Sequence, residues 1–492
     1  MCGSRIDNSR SAASVALRML ALAMVGWLAA GCESRSPAPS STAVPHAEDG
    51  GRNDSVNKLA VATRHLRRGA AAAAFPLVQE CLVANRHDPV ALELAGDVNA
   101  AMNRPSQMME MYQAAITHSS PPSTALLDKA GQAWMRIGRP FEALAVLQTA
   151  VELYPNDRKI HTDLAGLLAA LGLEQEAGVH LRWLIMRGFG GLNELVMVSD
   201  LTRPQNDKAI SQYAAEHAPE DLRSQFPVAR EEAYRGNWKS VVGTLEPIVE
   251  KYPDFAPAAA YYGRALVELG DEAGAQRWAA HLPAGIENQP QYWLATAAMA
   301  SRRREPEQAI SAYWRAYQLD PNDGEVLGKL ATVLAQAGYV DEAKAVVVEA
   351  GKIGQVIERV DQLRTNHNQS QRDAVRLAET LRSLGRLWEA ASWLRVGASM
   401  PKDADPRLKD LYLAIREQLT ARTPWQADES LLSASMDFAE LPEFDWNANA
   451  AEPKLATSSP SGLADRMSPV RFVDEAAARN LNHICKVKPP AG

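Results

Sequence analysis

The residues of this 492-residue chain best suited to chemistry are four cysteines, ten histidines and one glycine cluster. Cys2, Cys32, Cys81 and Cys485 form no C-x-x-C pair of the kind metal or redox sites use. Cys81 falls in a helical pattern and reads as a buried small apolar residue. The histidines are scattered, with no H-E-x-x-H, which would place two zinc ligands one helical turn apart. His161 and His180 are expected on helix surfaces. "GFGG", residues 188–191, lacks the following Lys-Ser/Thr that completes a phosphate cradle. No G-x-S-x-G nucleophile turn occurs. The carboxylates are spread as on solvated helix faces, and Trp134, Tyr262, Trp293 and Tyr313 occupy packing positions. This inventory points away from an enzyme and implies no metal and no cofactor.

Composition narrows the class further. Apolar residues make up 46% and charged residues 23%, as in a globular or repeat protein, and the formal charge is −7. Nucleic-acid binders usually carry a clear basic excess. Here the only compact basic run is Arg302–Arg304, so a nucleic-acid partner is not expected. The length exceeds that of one ordinary domain.

The N-terminal segment has its own logic. Arg5, Arg10 and Arg18 precede the apolar run "MLALAMVGWLAA", residues 19–30, as the charged and apolar regions of a secretory signal do. The run is shorter than the roughly 20 residues that span a bilayer. It ends in "LAAGC", residues 28–32, which resembles the lipobox of bacterial lipoproteins, although Leu28 stands one place early. The resemblance implies a signal peptide over 1–31 and a diacylglyceryl group on Cys32, the new N-terminus. Plain signal-peptidase cleavage nearby is the simpler alternative. Glu33 after the cysteine favours the outer over the inner membrane. Export to the envelope, with membrane contact through lipid alone, is the expectation. Residues 32–54, rich in Ser, Pro, Ala and Gly, read as a flexible tether. For its 22 residues after the cysteine the reach is roughly 25 Å.

The elements that follow repeat. In "AGQAWMRIGRPFEALAVLQTAVELYPND", residues 130–157, two glycines interrupt good helix-forming sequence, each costing roughly 1 kcal/mol in a helix interior. Units starting at 89, 124, 158, 222, 256, 290, 324 and 371 align beneath it. Their eighth positions (Gly96, Gly131, Ala165, Ala229, Gly263, Ala297, Ala331, Ala378) are all small. Their fifteenth are Asn103, Gly138, Gly172, Gly236, Gly270, Arg304, Gly338 and Gly385. Only 30 of 492 residues are glycine, so six in eight at one position is not chance. Alanine recurs at position 20, and Pro155, Pro253 and Pro321 stand at position 32. The pattern predicts two helices per unit. Position 15 turns the chain, positions 8 and 20 mark where the two helices touch, and proline ends the second.

This 34-residue pattern is similar to the tetratricopeptide repeat family. The resemblance covers residues 55–404 and implies an all-α fold, an α-solenoid of about ten stacked antiparallel helix pairs. Residues 55–88 read as a first irregular unit, 192–221 as a degenerate one and 358–370 as an insertion. Residues 405–422 read as a capping helix. In such arrays positions 2, 5, 9, 12 and 13 line the concave face. Carried over, position 9 gives Arg230 and Arg264 and position 13 gives Arg302, a short basic ladder suited to an acidic or C-terminal peptide. The plainer reading is solvated arginines paired with Glu268 or other local acids, worth little.

Residues 423–470 read as an acidic, then Pro/Ser-rich linker, in which Phe438, Phe444 and Trp446 offer an aromatic plug for the solenoid. In residues 471–492, Phe472, Asp474, Asn480 and Leu481 keep the spacing F-x-D-x(5)-G-[LI], with Asn480 in place of glycine. This resembles the opening of FG-GAP/ASPIC-UnbV-type β-propellers, whose further strands are not expected here. The sequence thus predicts a non-catalytic, envelope-tethered scaffold for protein or peptide partners. The alternative is the recognition arm of a larger enzyme or β-propeller protein whose active domain is missing or separately encoded. A repeat-bearing glycosyltransferase would need a nucleotide-sugar domain that the tail is too short to supply. The lipid anchor has a direct check. Cells fed radioactive fatty acid should label the wild-type chain and not Cys32→Ser; equal labelling of both removes the anchor.

Overall fold

The computed structural model describes residues 49–204, 209–365 and 370–447. The expected signal peptide, Cys32 and the expected tether before Asp49 lie outside the described residues, as does the tail bearing Phe472, Asp474, Asn480 and Leu481; residues 49–54, expected to be tether, are already helical. Among the described residues there are 21 α-helices and no strand. The first six are α1 (Asp49–Arg67), α2 (Ala71–Ala84), α3 (Pro89–Ala101), α4 (Pro105–His118), α5 (Thr124–Arg136) and α6 (Pro140–Leu153). After α7 (Arg158–Ala170) and α8 (Glu174–Met186) come two short helices, α9 (Leu192–Ser199) and α10 (Ala209–His217). Regular pairs resume with α11 (Phe226–Tyr234), α12 (Trp238–Lys251), α13 (Ala256–Leu269), α14 (Glu272–Ala279), α15 (Pro290–Arg302) and α16 (Pro306–Leu319). The last are α17 (Gly324–Ala337), α18 (Val340–Thr365), α19 (Gln371–Ser383), α20 (Leu387–Gly397) and α21 (Arg407–Gln418). This is an all-α solenoid of stacked helix pairs.

The turn inside each pair has one geometry. All eight residues at position 15 have positive φ, from 55° at Asn103 to 92° at Gly338, including the non-glycine Arg304 at 62°. The N–H one residue later closes back on the carbonyl five residues before it, as in Arg139 N to Trp134 O (3.0 Å) and Arg104 N to Asn99 O (2.9 Å). This is the six-to-one bond of a helix ending in a left-handed residue. The first pair ends its α1 in the same way, with Gly69 at φ 76° and Ala70 N bonded to His65 O at 2.9 Å. "GFGG" supplies another such turn: Gly188 has φ 77° and Phe189 N bonds Leu184 O at 2.8 Å. Helix starts are capped by short acceptors, for instance Asp157 taking Lys159 N at 2.8 Å and Asp323 taking Glu325 N at 2.8 Å.

The contact between paired helices is sharpest where glycine fills position 8. A Cβ on Gly96 would lie 2.3 Å from the Tyr112 ring, and one on Gly263 would lie 2.1 Å from Trp278. Gly131 differs from these two positions. A Cβ there meets Leu147 at an ordinary 3.8 Å, so close approach does not require glycine at that site. The alanines at position 20 (Ala143, Ala177, Ala275, Ala309, Ala343, Ala390) are all buried.

The array does not run on as a simple row. The short α9 and α10 redirect the chain between α8 and α11, and the later pairs return to the earlier ones, so that α9 packs on α18 and both α8 and α9 pack on α20. Gln175 donates to Asp320 at 2.8 Å, Arg203 pairs with Asp361 at 2.6 Å, and Arg395 donates to the Gly190 carbonyl. One large apolar cluster therefore extends from Leu127 to Phe438, beside a smaller one around Trp278. Two further expectations change. Residues 358–365 of the supposed insertion continue α18 as helix. Residues 423–446 of the supposed linker are not a free linker but a strap packed on the helices, with Leu432 and Phe438 buried.

The glycine contacts predict opposite outcomes for one substitution. Gly263→Ala should destabilise by about 1–3 kcal/mol through overpacking, because the buried Trp278 is held by its bond to Ala259 O (2.9 Å). Gly131→Ala should stabilise by about 0.5–1 kcal/mol through helix propensity alone. Thermal melts of the two variants check this, and melting shifts of the same sign would contradict it.

Candidate partner-binding site

The three arginines aligned by the repeat do not form a solvent-facing ladder. Arg230, on α11, is 4% exposed. Its guanidinium pairs with Glu174 at the start of α8 and donates to Tyr261 Oη (2.9 Å), Leu201 O (2.9 Å) and Thr202 O (3.2 Å). Arg264, on α13, is 5% exposed. It pairs with Glu325, donates to Gln291, lies 3.8 Å from Glu268 and covers the Trp238 ring at 4.8 Å. Neither is a solvated arginine and neither offers open donors. The causes are tertiary. The α8 start and the loop at Leu201–Thr202 fold back over α11. Between α13 and α17, α15 carries only Ala298 at position 9, and its small side chain lets the flanking helices reach across. Lys329 joins the same bridge, 3.4 Å from Glu268 and 3.0 Å from Glu325. Arg302 is exposed and donates to the Glu268 carbonyl at 3.2 Å.

A polar seam continues inward from this network. Asp320 receives Gln175, Asn322 receives Arg386 at 3.1 Å, and Asn322 in turn donates to Gln426 of the strap at 3.3 Å. Arg386 pairs with fully buried Glu389 at 2.5 Å. Beside Asp320 lies Asp323, 3% exposed, which caps α17. Burial, with Asp320 nearby, pushes its carboxyl up to about 7.

The histidines correct another expectation. His161 is buried rather than on the surface, with Nδ1 3.0 Å from His180 Nδ1 and its ring stacked on Trp183 at 3.7 Å. Burial holds both rings below the usual histidine range, His180 at about 4. Among the described residues no group of three or more His, Cys, Asp or Glu is placed to hold a metal ion.

The surface left open lies at the edge where first helices turn into second helices. A shallow depression there is lined by Glu232, Trp238, Lys239 and Leu269. Tyr234 is 58% exposed and Leu269 49% exposed at adjacent turns, and Arg302 leans on the same turn as Leu269. Sequence reasoning missed Tyr234, Trp238 and Leu269. Their signal was a large apolar residue within two places of the turn glycine, where water rather than a partner helix is the default neighbour.

No family model matches the sequence, and no curated protein does. Solved structures that the chain matches include a tetratricopeptide repeat protein from Parabacteroides merdae, 11% identical over 57% of this chain and 99% of that one, with a TM-score of 0.24. The Cut9–Hcn1 hetero-tetramer of APC/C is 12% identical over 75% and 85% of the two chains, with a TM-score of 0.30. Yeast Tom70 is 13% identical over 78% and 99%, with a TM-score of 0.24. At these identities and scores none of them carries a function to this chain.

Asp323 gives the seam a pH signature. Its folded carboxyl titrates at about 7, above its ordinary 3.8. Between those values the folded state holds the extra proton. The contribution to stability is therefore full below the lower value and lost as pH rises through the upper one. Asp323→Asn keeps a capping side chain and removes the titration. Melting temperatures from pH 4 to 8 should show wild type falling relative to the variant as pH rises; a constant difference would contradict the assignment.

Proposed function

We propose that the chain is a non-catalytic scaffold: an exported helical-repeat protein, tethered to the envelope by lipid at Cys32, that holds protein or peptide partners. The observation that carries this reading is the open depression lined by Trp238 and Leu269, with Tyr234 exposed two residues before Gly236 of its lining and Arg302 bonded to the carbonyl of Glu268, next to Leu269. Exposed aromatic and apolar side chains beside an arginine are the residue types enriched at binding hot spots. The buried charges support the same reading. Arg230 and Arg264 pair with acids on other helices and Arg386 with Glu389 three residues on, so these charges are engaged within the protein rather than facing a substrate. The outer-membrane side is proposed from Glu33 after Cys32.

Placement of the partner on this edge can be read in cells. A photocrosslinking residue at Leu269 of the full-length chain should give discrete adducts in the envelope fraction, and Tyr234→Glu with Arg302→Glu should abolish them. The same residue at Val83, 88% exposed on α2, is the control. Identical products from both positions, or none from Leu269, would refute the site.

A further inference from the structure

We propose that residues 428–446 are an internal ligand, seated in a groove that takes an acidic, aromatic-bearing extended segment of a partner protein. The inference rests on the scaffold reading and names where such a segment lies. After α21 the chain turns back and crosses the later pairs in reverse order. Trp388 of α20 donates to Thr423 O at 3.0 Å, and Ala427 N bonds Gly385 O at 3.2 Å. Leu432 N then donates to Tyr317 Oη of α16 at 2.8 Å. Phe438 stands edge-on to Trp314 of α16 at 5.3 Å and to Tyr339 at 5.7 Å. Phe444 lies under Arg303 at 4.8 Å, and Trp446 meets Trp278 of α14 at 5.4 Å.

The segment, DESLLSASMDFAELPEFDW, carries six acids and no Lys or Arg. Its apolar side chains at Leu432, Phe438, Phe444 and Trp446 point into the groove, while its carboxylates remain exposed. One arginine answers a carboxylate at one end, Arg315 lying 3.4 Å from Glu443, and Arg303 beside it donates to the backbone carbonyl of Asp445 at 3.4 Å. Past the short 3-10 turn Leu432–Ala434 the strap has neither helix nor strand, and rings hold it in place. Separate side-chain anchors of this kind let go without dismantling a backbone ladder. The fit is also incomplete, because Trp314 Nε1, in the ring beneath Phe438, is buried with no acceptor among the described residues. A segment of like charge and spacing that satisfies that donor would displace the strap, and the strap sets how strong a competitor must be.

The probe is a fluorescent synthetic peptide of residues 428–446, titrated by anisotropy onto full-length protein. Freeing the groove raises apparent affinity by the inverse of the fraction already open, so Phe444→Ser with Trp446→Ser should bind at least about tenfold more tightly than wild type. Adding Arg303→Glu and Arg315→Glu should reverse the gain, and a scrambled peptide should not compete. Circular dichroism confirms that the helices persist, and Phe444→Ser alone is the milder variant if the pair melts early. Peptide binding that is absent from the loosened variants, or equal to wild type, overturns the proposal. So does light scattering that shows wild type to be a dimer with exchanged straps, because the occupant is then a second copy. Retained crosslinks at Leu269 beside a failed peptide titration would reject the groove alone; loss of those crosslinks reports on the scaffold reading separately.

Discussion

The buried contact between Arg230 and Glu174 decides what kind of solenoid this is. In an open repeat array each unit touches only its neighbours. Here a guanidinium on α11 reaches the first residue of α8, and both side chains are buried. Such a pair resists separation because removing one partner strands the other charge, at a cost of about 3–5 kcal/mol. The cluster also pins the loop carbonyls of Leu201 and Thr202. Once α8 and α11 are joined, α9 is carried against α18 and α20, and the Gln175–Asp320 and Arg203–Asp361 contacts follow.

Closure explains why binding moves outward. The side chains that an open array would show to a peptide are spent on one another, as Arg264 is on Glu325, Gln291 and Trp238. Two features stay available. One is the turn edge with its exposed Tyr234 and Leu269, and the other is the groove beneath the strap. Both sit on the pairs from α11 onward, which carry most of the aromatic packing of the molecule. The scaffold reading and the groove reading thus draw on different surfaces of the same half.

What the sequence made legible was local. The positive φ at position 15, the small residues at 8 and 20 and the proline at 32 all act within one helix pair, so a 34-residue register captures them. Even the exceptions follow the rule, since Asn103 and Arg304 take the left-handed turn without being glycine. What escaped was set by residues far apart in the chain. The burial of Arg230 depends on Glu174, that of Arg264 on Glu325, and the order of residues 423–446 on tryptophans more than a hundred residues earlier. His161 and His180 illustrate the same limit within a single unit. Spacing placed them on one helix pair, but only the stacked Trp183 ring shows that the first of them is buried.

Hydrogen–deuterium exchange on the full-length chain reads closure of the array directly. Protection reports cooperative opening element by element. In Glu174→Ala the account predicts faster exchange in α11 and in α18 as well as in α8, because α11 loses its charge partner and α9 loses its hold on α18. Loss of protection confined to α8, with α11 and α18 exchanging as in wild type, would mean that the repeats stack as an open row and would contradict the account.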